Sequence, residues 1–584
     1  MILHGNEIAD IRKNDTITSP QFLKNDRLET FDFLVANPPF STKSWSNGLE
    51  NEYGRFEFGM PPAKNGDFAF LLHMLKSLTS TGKGAVILPH GVLFRGNVEG
   101  QIRKEIIRRG YIKGIIGLPA NLFYGTGIPA CIVVLDKLDA QARRGIFMID
   151  ASKGFMKDGP KNRLRPRDMH KIVDFFTKQI EMPGYSRMVP LTGVADEAND
   201  YNLNIPRYID TSEPEDIQDL DAHLHGGIPN WDIDALDEYW TVFPTLKQQL
   251  FRPYREGYSE LAIDAADVQP YILAADEYVV LKNNTAALVE KWWSDHQADL
   301  MAISPITHPN ELIESVSESL LAGFKQLPLI DEYAVYEQLM SYWNKTMHDD
   351  VVLIMSAGWD GAVKPRKAIE DKDRKISETP DLVIGTGKRA SKYKMDLVPP
   401  ALIVARYFQA EQKAIDDLNV KVELASQEID EFVEENLDDE GLLAEAMDDG
   451  KINKALASER LKEAKRENTD PDEIAALTKL FSLYEVEATA KKRVKEAKAA
   501  IDSEILAQYG KLALDEIRSL VIEDKWGKAI ARGVDDELTK LMQELEARTE
   551  ILGKRYNVTL DAIEGQVTEL VTKVSQHLAE MGFE

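Results

Sequence analysis

FDFLVANPPF, Phe31 to Phe40, joins a short apolar run to a loop that cannot continue it. Phe31 to Ala36 reads as a buried strand. Pro38 and Pro39 then fix φ twice and remove two backbone donors. The carbonyls of that loop must therefore find partners outside it. The side-chain oxygen of Asn37 adds another acceptor, and Phe40 offers a flat face. Two acceptors beside an aromatic platform suit an exocyclic amino group on a planar base. Such a site favours the amine lone pair for attack on an electrophilic methyl.

Working outward, the residues around this stretch alternate between strand and helix patterns. Asp67 to Leu78 has helical periodicity, with Phe68, Leu71, Leu72 and Leu75 on one face. A TGKG turn, Thr81 to Gly84, leads into the strand candidate Ala85 to Pro89. Val98 to Arg109 suits an amphipathic helix. Further strands are expected in YIKGIIGLP, in ACIVVLDK from Ala130 and in GIFMID from Gly145. The alternation predicts an α/β sheet with a ligand crevice at the carboxyl ends of its strands. The loop Asn37 to Phe40 falls at such an end.

Four regions are expected along the chain. Residues 1–155 carry the α/β pattern, and 156–357 extend it into a mainly helical region rich in Trp and Tyr. Residues 358–399 read as a flexible basic loop or linker, and 400–584 as a helical subunit-docking region. Ile563, Val567, Leu570, Val574, Leu578 and Met581 form a seam typical of helix pairing. A hairpin closing on itself and a docking arm for another subunit both satisfy that seam.

The 584 residues are 43% hydrophobic and 29% charged, which is globular usage and excludes disorder over the whole length. Net charge is −27, which alone argues against a free-standing DNA or membrane binder. The balance is uneven, however. Ten of the twenty residues from Asp430 to Asp449 are acidic and none is basic. That run is either solvated or set against a basic partner surface. Basic clusters lie at Arg103-Lys104 with Arg108-Arg109, and from Lys161 to Arg167. Cys131 is the only cysteine, which excludes a disulfide framework and fits a reducing cytoplasm. No apolar run reaches the ~18–20 residues of a membrane span, and the N-terminus lacks a secretory signal pattern.

DFLVANPPF resembles the signature of amino-directed methyltransferases that use S-adenosylmethionine. GDFAFLLHMLKSL, GKGAVILPHGVLFRG, IIGLPANLFYGTGIPACIVVLDK and YNLNIPRY follow in order. Together they resemble the modification subunit of type I restriction–modification systems, an N6-adenine DNA methyltransferase family. The strong motifs cover roughly residues 1 to 210. The resemblance implies part of a Rossmann-like methyltransferase sheet followed by long paired helices. It also implies that Asn37 and the Pro38 carbonyl bond the N6 amino group of a flipped adenine, with Pro39 shaping the loop and Phe40 stacking on the base. Phe123 is either a second stacking residue or a core aromatic. Asp15 is either a contact to the cofactor's adenine or a turn-capping residue. Arg95, Arg103 and Lys104 either face the DNA backbone or lie on a solvated helix face. His4, His73 and His90 are expected to be structural, and no metal is implied. The implied partners are DNA, a specificity subunit, a translocating nuclease subunit and a second copy of the modification subunit.

The chain departs from the family pattern in one respect. A glycine-rich cofactor turn and an acidic ribose contact are expected upstream of NPPF, yet only 36 residues precede Asn37 and Gly5 is their one glycine. The expectation is an N-terminally shortened member with exposed sheet edges. IGTGKRASK and YGTGI lack the full spacing of a nucleotide loop. Two other readings stand beside the enzyme: an inactive scaffold that docks the specificity subunit, and a methyltransferase acting on protein or RNA.

Overall fold

The computed structural model describes residues 9–212, 215–371, 376–385, 387–436, 442–446 and 452–582. Two compact units emerge. One comprises Met1–Glu277, Phe324–Met340 and Leu541–Glu584; the other comprises Tyr278–Gly323 and Ser341–Lys540.

The first unit is built on a six-stranded sheet. Its strands are β1 (Phe31–Ala36), β2 (Leu78–Pro89), β3 (Ile112–Gly117), β4 (Ala130–Asp136), β5 (Gly145–Asp150) and β6 (Ser186–Pro190). Their order across the sheet is β6-β5-β3-β4-β2-β1. The sheet is mixed. β1 runs parallel to β2, with Val35 opposite Ala85, and β3 runs parallel to β5. β4 runs antiparallel to both β2 and β3, placing Val133 opposite Val86 and Ile115. These apolar rows pack against helices α1 (Asp67–Ser77) and α2 (Asn97–Arg108). Phe68, Leu72, Val86, Leu88, Ile102, Ile106 and Ile115 form one buried cluster.

The expected TGKG turn is instead part of β2. Phe31 pairs with Leu78 and Phe33 with Lys83, so the intervening residues of β2 bulge out. The hydroxyl of Thr79 donates to the Asp32 carboxylate at 3.1 Å, on the partner strand, and fixes that bulge. A true turn stands after α2, where Gly110 has φ +68°. A Cβ there would lie 2.0 Å from the Ala140 carbonyl oxygen.

β1 is the outermost strand, and among the described residues no strand pairs with its other edge. Phe33 and Val35 are 77% and 82% exposed on it. The segment Met1–Ile8, which carries His4 and Gly5, lies outside the described residues.

Elsewhere in this unit a small sheet forms from Ile228–Pro229, Phe251–Arg255 and Tyr258–Leu261. Arg548 donates to Asp216 at 3.0 Å and to Asp232 at 3.2 Å, and Arg555 pairs with Asp216 as well. The helix Leu560–Glu580 follows, and Ile563, Val567, Leu570, Val574 and Leu578 are all exposed along it. The hairpin reading of that seam therefore has no partner face among the described residues.

The second unit is mainly helical. Gln409–Glu435, Lys454–Glu467 and Pro471–Tyr509 meet around Ile429, Leu461, Leu477 and Leu480. Two π-helical stretches, Trp343–Met347 and Leu520–Gly527, interrupt its other helices. Lys525 donates to Asp350 at 2.8 Å and to the Leu397 carbonyl at 2.7 Å, while the Trp526 indole donates to Asp350 at 2.8 Å. Burial pushes the Asp350 carboxyl upward, against the pull of Lys525.

The segment expected as a flexible loop at 358–399 contains three short antiparallel strands, Arg366–Lys367, Leu382–Ile384 and Ser391–Lys394. Arg366 staples them, donating to Glu378 at 2.6 Å and to Asp396 at 2.6 Å. This ion pairing is invisible as a local pattern in the sequence. About half of the acidic run at 430–449 falls on residues that are not described. Among the described residues no helix is long and apolar enough to cross a membrane.

Candidate functional site

Asn37, Pro38, Pro39 and Phe40 leave the carboxyl end of β1 as a loop. β1 stops there because Pro38 has no N–H to give a neighbouring strand. Asn37 and Pro39 are exposed and Pro38 is buried. The hydroxyl of Thr42 donates to the Pro39 carbonyl at 3.1 Å. The loop then turns back at Ser41, which has φ +50°.

The residues after the loop are laced onto the approach to α1. Gly66 N–H donates to the Thr42 carbonyl at 2.9 Å, and Ser44 N–H to the Ala63 carbonyl at 2.9 Å. The Trp45 indole donates to the Pro62 carbonyl at 2.9 Å. Gly66 is needed for this approach, since a Cβ on it would stand 3.1 Å from the Trp45 ring.

Phe123 comes to Phe40 from another part of the chain. The two rings meet edge to face with centroids 5.6 Å apart. The loop carrying Phe123 is braced by Lys161, whose ammonium donates to the carbonyls of Phe123 at 2.8 Å and Thr126 at 3.1 Å. Asn162 adds a side-chain bond to the Ala120 carbonyl at 2.7 Å. The core-aromatic reading of Phe123 does not describe this position, because the ring is only partly buried and its neighbour Tyr124 is 95% exposed.

Asp15 caps a turn. Its carboxylate accepts the N–H groups of Ile17 at 2.9 Å and Thr18 at 2.8 Å. Those backbone bonds, Thr18 first, hold its pKa below the usual carboxylate value. The same residue lines a cavity of about 500 Å³ with Phe22, Phe33, Phe70 and Met74, and that cavity reaches Ala36, next to Asn37. Its mainly apolar and aromatic lining fits the adenine end of a nucleoside cofactor. No glycine lines it among the described residues, so the close backbone approach that the rest of such a cofactor needs is not supplied there.

The three basic candidates separate. Arg103 is 4% exposed, and its guanidinium donates to the carbonyls of Tyr201, Val92 and Arg95. It holds the packing between α2 and the loop before it, and does not face a phosphate. Arg95 is bound to Asp67 at 2.9 Å and to Glu99 at 3.3 Å. Lys104 remains more accessible, lying over the Tyr201 ring at 4.8 Å and near Asp200 at 3.9 Å.

Neither His73 nor His90 has a hydrogen bond to the loop among the described residues, although His73 lines the cavity of Asp15. His73 faces Arg55, at 3.2 Å from Nη1 to Nδ1, and burial lowers its pKa to about 4. His90 has a buried Nε2 without a hydrogen bond among the described residues, and burial lowers its pKa as well. Among the described residues no cluster of His, Cys, Asp or Glu has the makings of a metal site. Asn162 and Asp67 were not singled out from the sequence as site residues, and Lys161 only as the start of a basic cluster. Their partners lie 26 to 42 residues away, so no local spacing marks them.

Residues 1–217 match the model of the N-6 DNA Methylase family. Over 238 residues the chain is 34% identical to the type I restriction enzyme MjaVII methylase subunit of Methanocaldococcus jannaschii, covering 38% of this chain and 40% of that protein. Over 209 residues it is 35% identical to the HindI methylase subunit of Haemophilus influenzae, covering 35% of this chain and 46% of that one. A solved type I restriction-modification system methyltransferase subunit from Streptococcus thermophilus aligns at 36% identity, with 36% of this chain and 45% of that chain covered and a TM-score of 0.33. The chain thus spans less than half the length of each of these relatives.

Proposed function

We propose, from the match of residues 1–217 to the N-6 DNA methylase family, that this chain is the modification subunit of a type I restriction–modification assembly and methylates adenine N6 in DNA. One observation carries the reading. The Asn37–Phe40 loop ends β1 beside a second ring, Phe123, while the cavity of Asp15 reaches the residue before Asn37.

In this reading a target adenine leaves the duplex and enters between the loop and Phe123. The Asn37 side-chain oxygen and the Pro38 carbonyl accept the two N6 hydrogens. That geometry turns the nitrogen lone pair out of conjugation with the ring and toward the cavity. Pro39 limits the conformations open to the loop, and Phe40 holds the base plane. Asp15, with the aromatic lining of its cavity, would hold the adenine end of S-adenosylmethionine. When bound, that cofactor supplies the electrophilic methyl. The contribution of the chain is orientation and electrostatics. Lys104 is the surviving candidate for a phosphate contact. DNA, a specificity subunit, a nuclease subunit and a second modification subunit are the partners this function requires.

The test is N6-methyladenine formation in DNA by this chain assembled with a specificity subunit and supplied with S-adenosylmethionine. Asn37→Ala is expected to abolish it. Full activity in that variant, or methylation of protein or RNA in place of DNA, would refute the reading.

A second role, docking the specificity subunit, is favoured by the exposed apolar seam of Leu560–Glu580. Leu570→Asp with Val574→Asp is expected to weaken that association, and an unchanged affinity would count against it.

A further inference from the structure

Asn37 and Pro39 of the loop are exposed, yet the proposed chemistry needs the loop fixed to within a fraction of an ångström. Its two prolines restrict φ but supply no donors, so they do not by themselves anchor the loop to the body of the domain. The anchor has to come from the next residues. At Ser41 the chain takes φ +50° and its N–H turns inward. That N–H donates to Oδ1 of Asp67 at 2.7 Å.

Asp67 is 1% exposed and stands at the first position of α1. Its Oδ2 accepts from Arg95 Nη1 at 2.9 Å. The same nitrogen reaches Glu99 at 3.3 Å, and Glu99 in turn accepts from the Asn65 side chain at 3.1 Å. The Asn65 oxygen accepts the Asp67 N–H at 3.2 Å, which closes the ring of contacts. A buried carboxylate with both oxygens satisfied, one by a loop amide and one by a guanidinium, is held rigidly. Arg95 was a candidate for facing DNA, but its position makes it the counter-ion of this anchor.

We infer that Asp67 is a positioning residue for the base-binding loop. It sets Asn37 and Phe40 by fixing the Ser41 amide from beneath, and Arg95 holds Asp67 in turn. The inference rests on the base-binding role proposed above for Asn37–Phe40. It assigns Asp67 no contact with base or cofactor.

Two measurements on the full chain test it. In hydrogen–deuterium exchange, Asp67→Ala is expected to speed exchange in peptides spanning Ser41, and peptides of β3 and β5 should stay unchanged. Asp67→Asn keeps an acceptor for Ser41 and is expected to restore much of that protection. In the assembled complex, Asp67→Ala should lower kcat by about 100-fold, the cost of a misplacement near 1 Å, with KM for DNA within about twofold because no DNA contact is lost. Asp67→Asn should recover part of kcat. Unchanged exchange at Ser41, or unchanged kcat in a chain where Asn37→Ala is inactive, would overturn the inference. If Asn37→Ala were itself fully active, the base-binding reading would fail, and the exchange data would still report whether Asp67 holds Ser41.

Discussion

Phe40 and Phe123 touch edge to face, at 5.6 Å between centroids and 70° between planes. A base stacked between two rings needs them roughly parallel and further apart than this contact allows. One ring must turn aside on base entry. The Phe40 loop is held through Ser41 and Asp67, and the Phe123 loop through Lys161, so the side chains rather than the backbones have to move.

The first prediction concerns both rings. Base–aromatic stacking is worth about 1–3 kcal/mol per base. Phe40→Ala and Phe123→Ala should each weaken capture of the target base by roughly 5- to 150-fold. Fluorescence of 2-aminopurine placed at the target position of a DNA duplex measures this in the assembled complex. Equal signal from wild type and Phe123→Ala would remove Phe123 from the site.

Arg103 and Lys104 are adjacent in sequence and should behave differently. Arg103→Met orphans three carbonyls, at about 1 kcal/mol each. It should lower stability by about 3 kcal/mol in urea unfolding and leave the salt dependence of DNA affinity alone. Lys104→Ala should barely change stability. If Lys104 meets a phosphate, the slope of log affinity against log salt falls by about 1.

His73 gives the chain an acid-sensitive site. Its folded pKa of about 4 lies below the unfolded value of about 6.5. The unfolded chain therefore takes up this proton first as pH falls. The stability tied to a neutral His73 is complete above pH ~6.5, is lost through the window down to about 4, and changes no further below it. The loss is bounded at about 3 kcal/mol. His73→Phe should flatten that part of the stability–pH curve, and an unaltered curve would contradict the burial of the ring beside Arg55.

In the helical unit, Lys525→Met leaves the Asp350 carboxylate buried without its cation. Removing one partner of such a pair costs about 3–5 kcal/mol. The double variant Lys525→Met with Asp350→Asn keeps an acceptor for the Trp526 indole and should recover most of the loss. Urea denaturation followed by tryptophan fluorescence separates the two.

The sequence made the sheet legible where its signals are local. β1 forms over the apolar run Phe31–Ala36 but is an exposed edge strand and not the buried one expected, because no described strand covers its outer edge, while α1 and α2 begin and end within a residue or two of their periodic stretches. It misled where the deciding partner is remote. Thr81 to Gly84 reads as a turn, yet Lys83 and Gly84 are paired within the sheet and only the residues just before them bulge, because of where β1 pairs. The short strands within 358–399 were not legible, because the partners of Arg366, Glu378 and Asp396, lie 12 and 30 residues away. The base-binding role proposed for Asn37 to Phe40 rests on the motif, to which the structure adds the Phe123 ring beside Phe40. Asp67 was hidden, since an acidic residue opening a helix has an ordinary reading as a partner of the helix dipole. Arg103 misled for the opposite reason: arginine on an amphipathic helix suggests solvent, and only the fold places three carbonyls around it.

The outer edge of β1 has a consequence for handling the protein. Phe33 and Val35 are exposed on a strand that contains no lysine or proline and whose outer edge no strand pairs with among the described residues. Such an edge templates further strands. Two isolated chains have every reason to zip together there, out of register or in. Kept apart from other polypeptides, this chain should bind hydrophobic dyes and form light-scattering aggregates as its concentration rises. Val35→Lys, on the same strand, should quiet both, and because Val35 also lines the cavity of Asp15 it is a test of aggregation and not of activity.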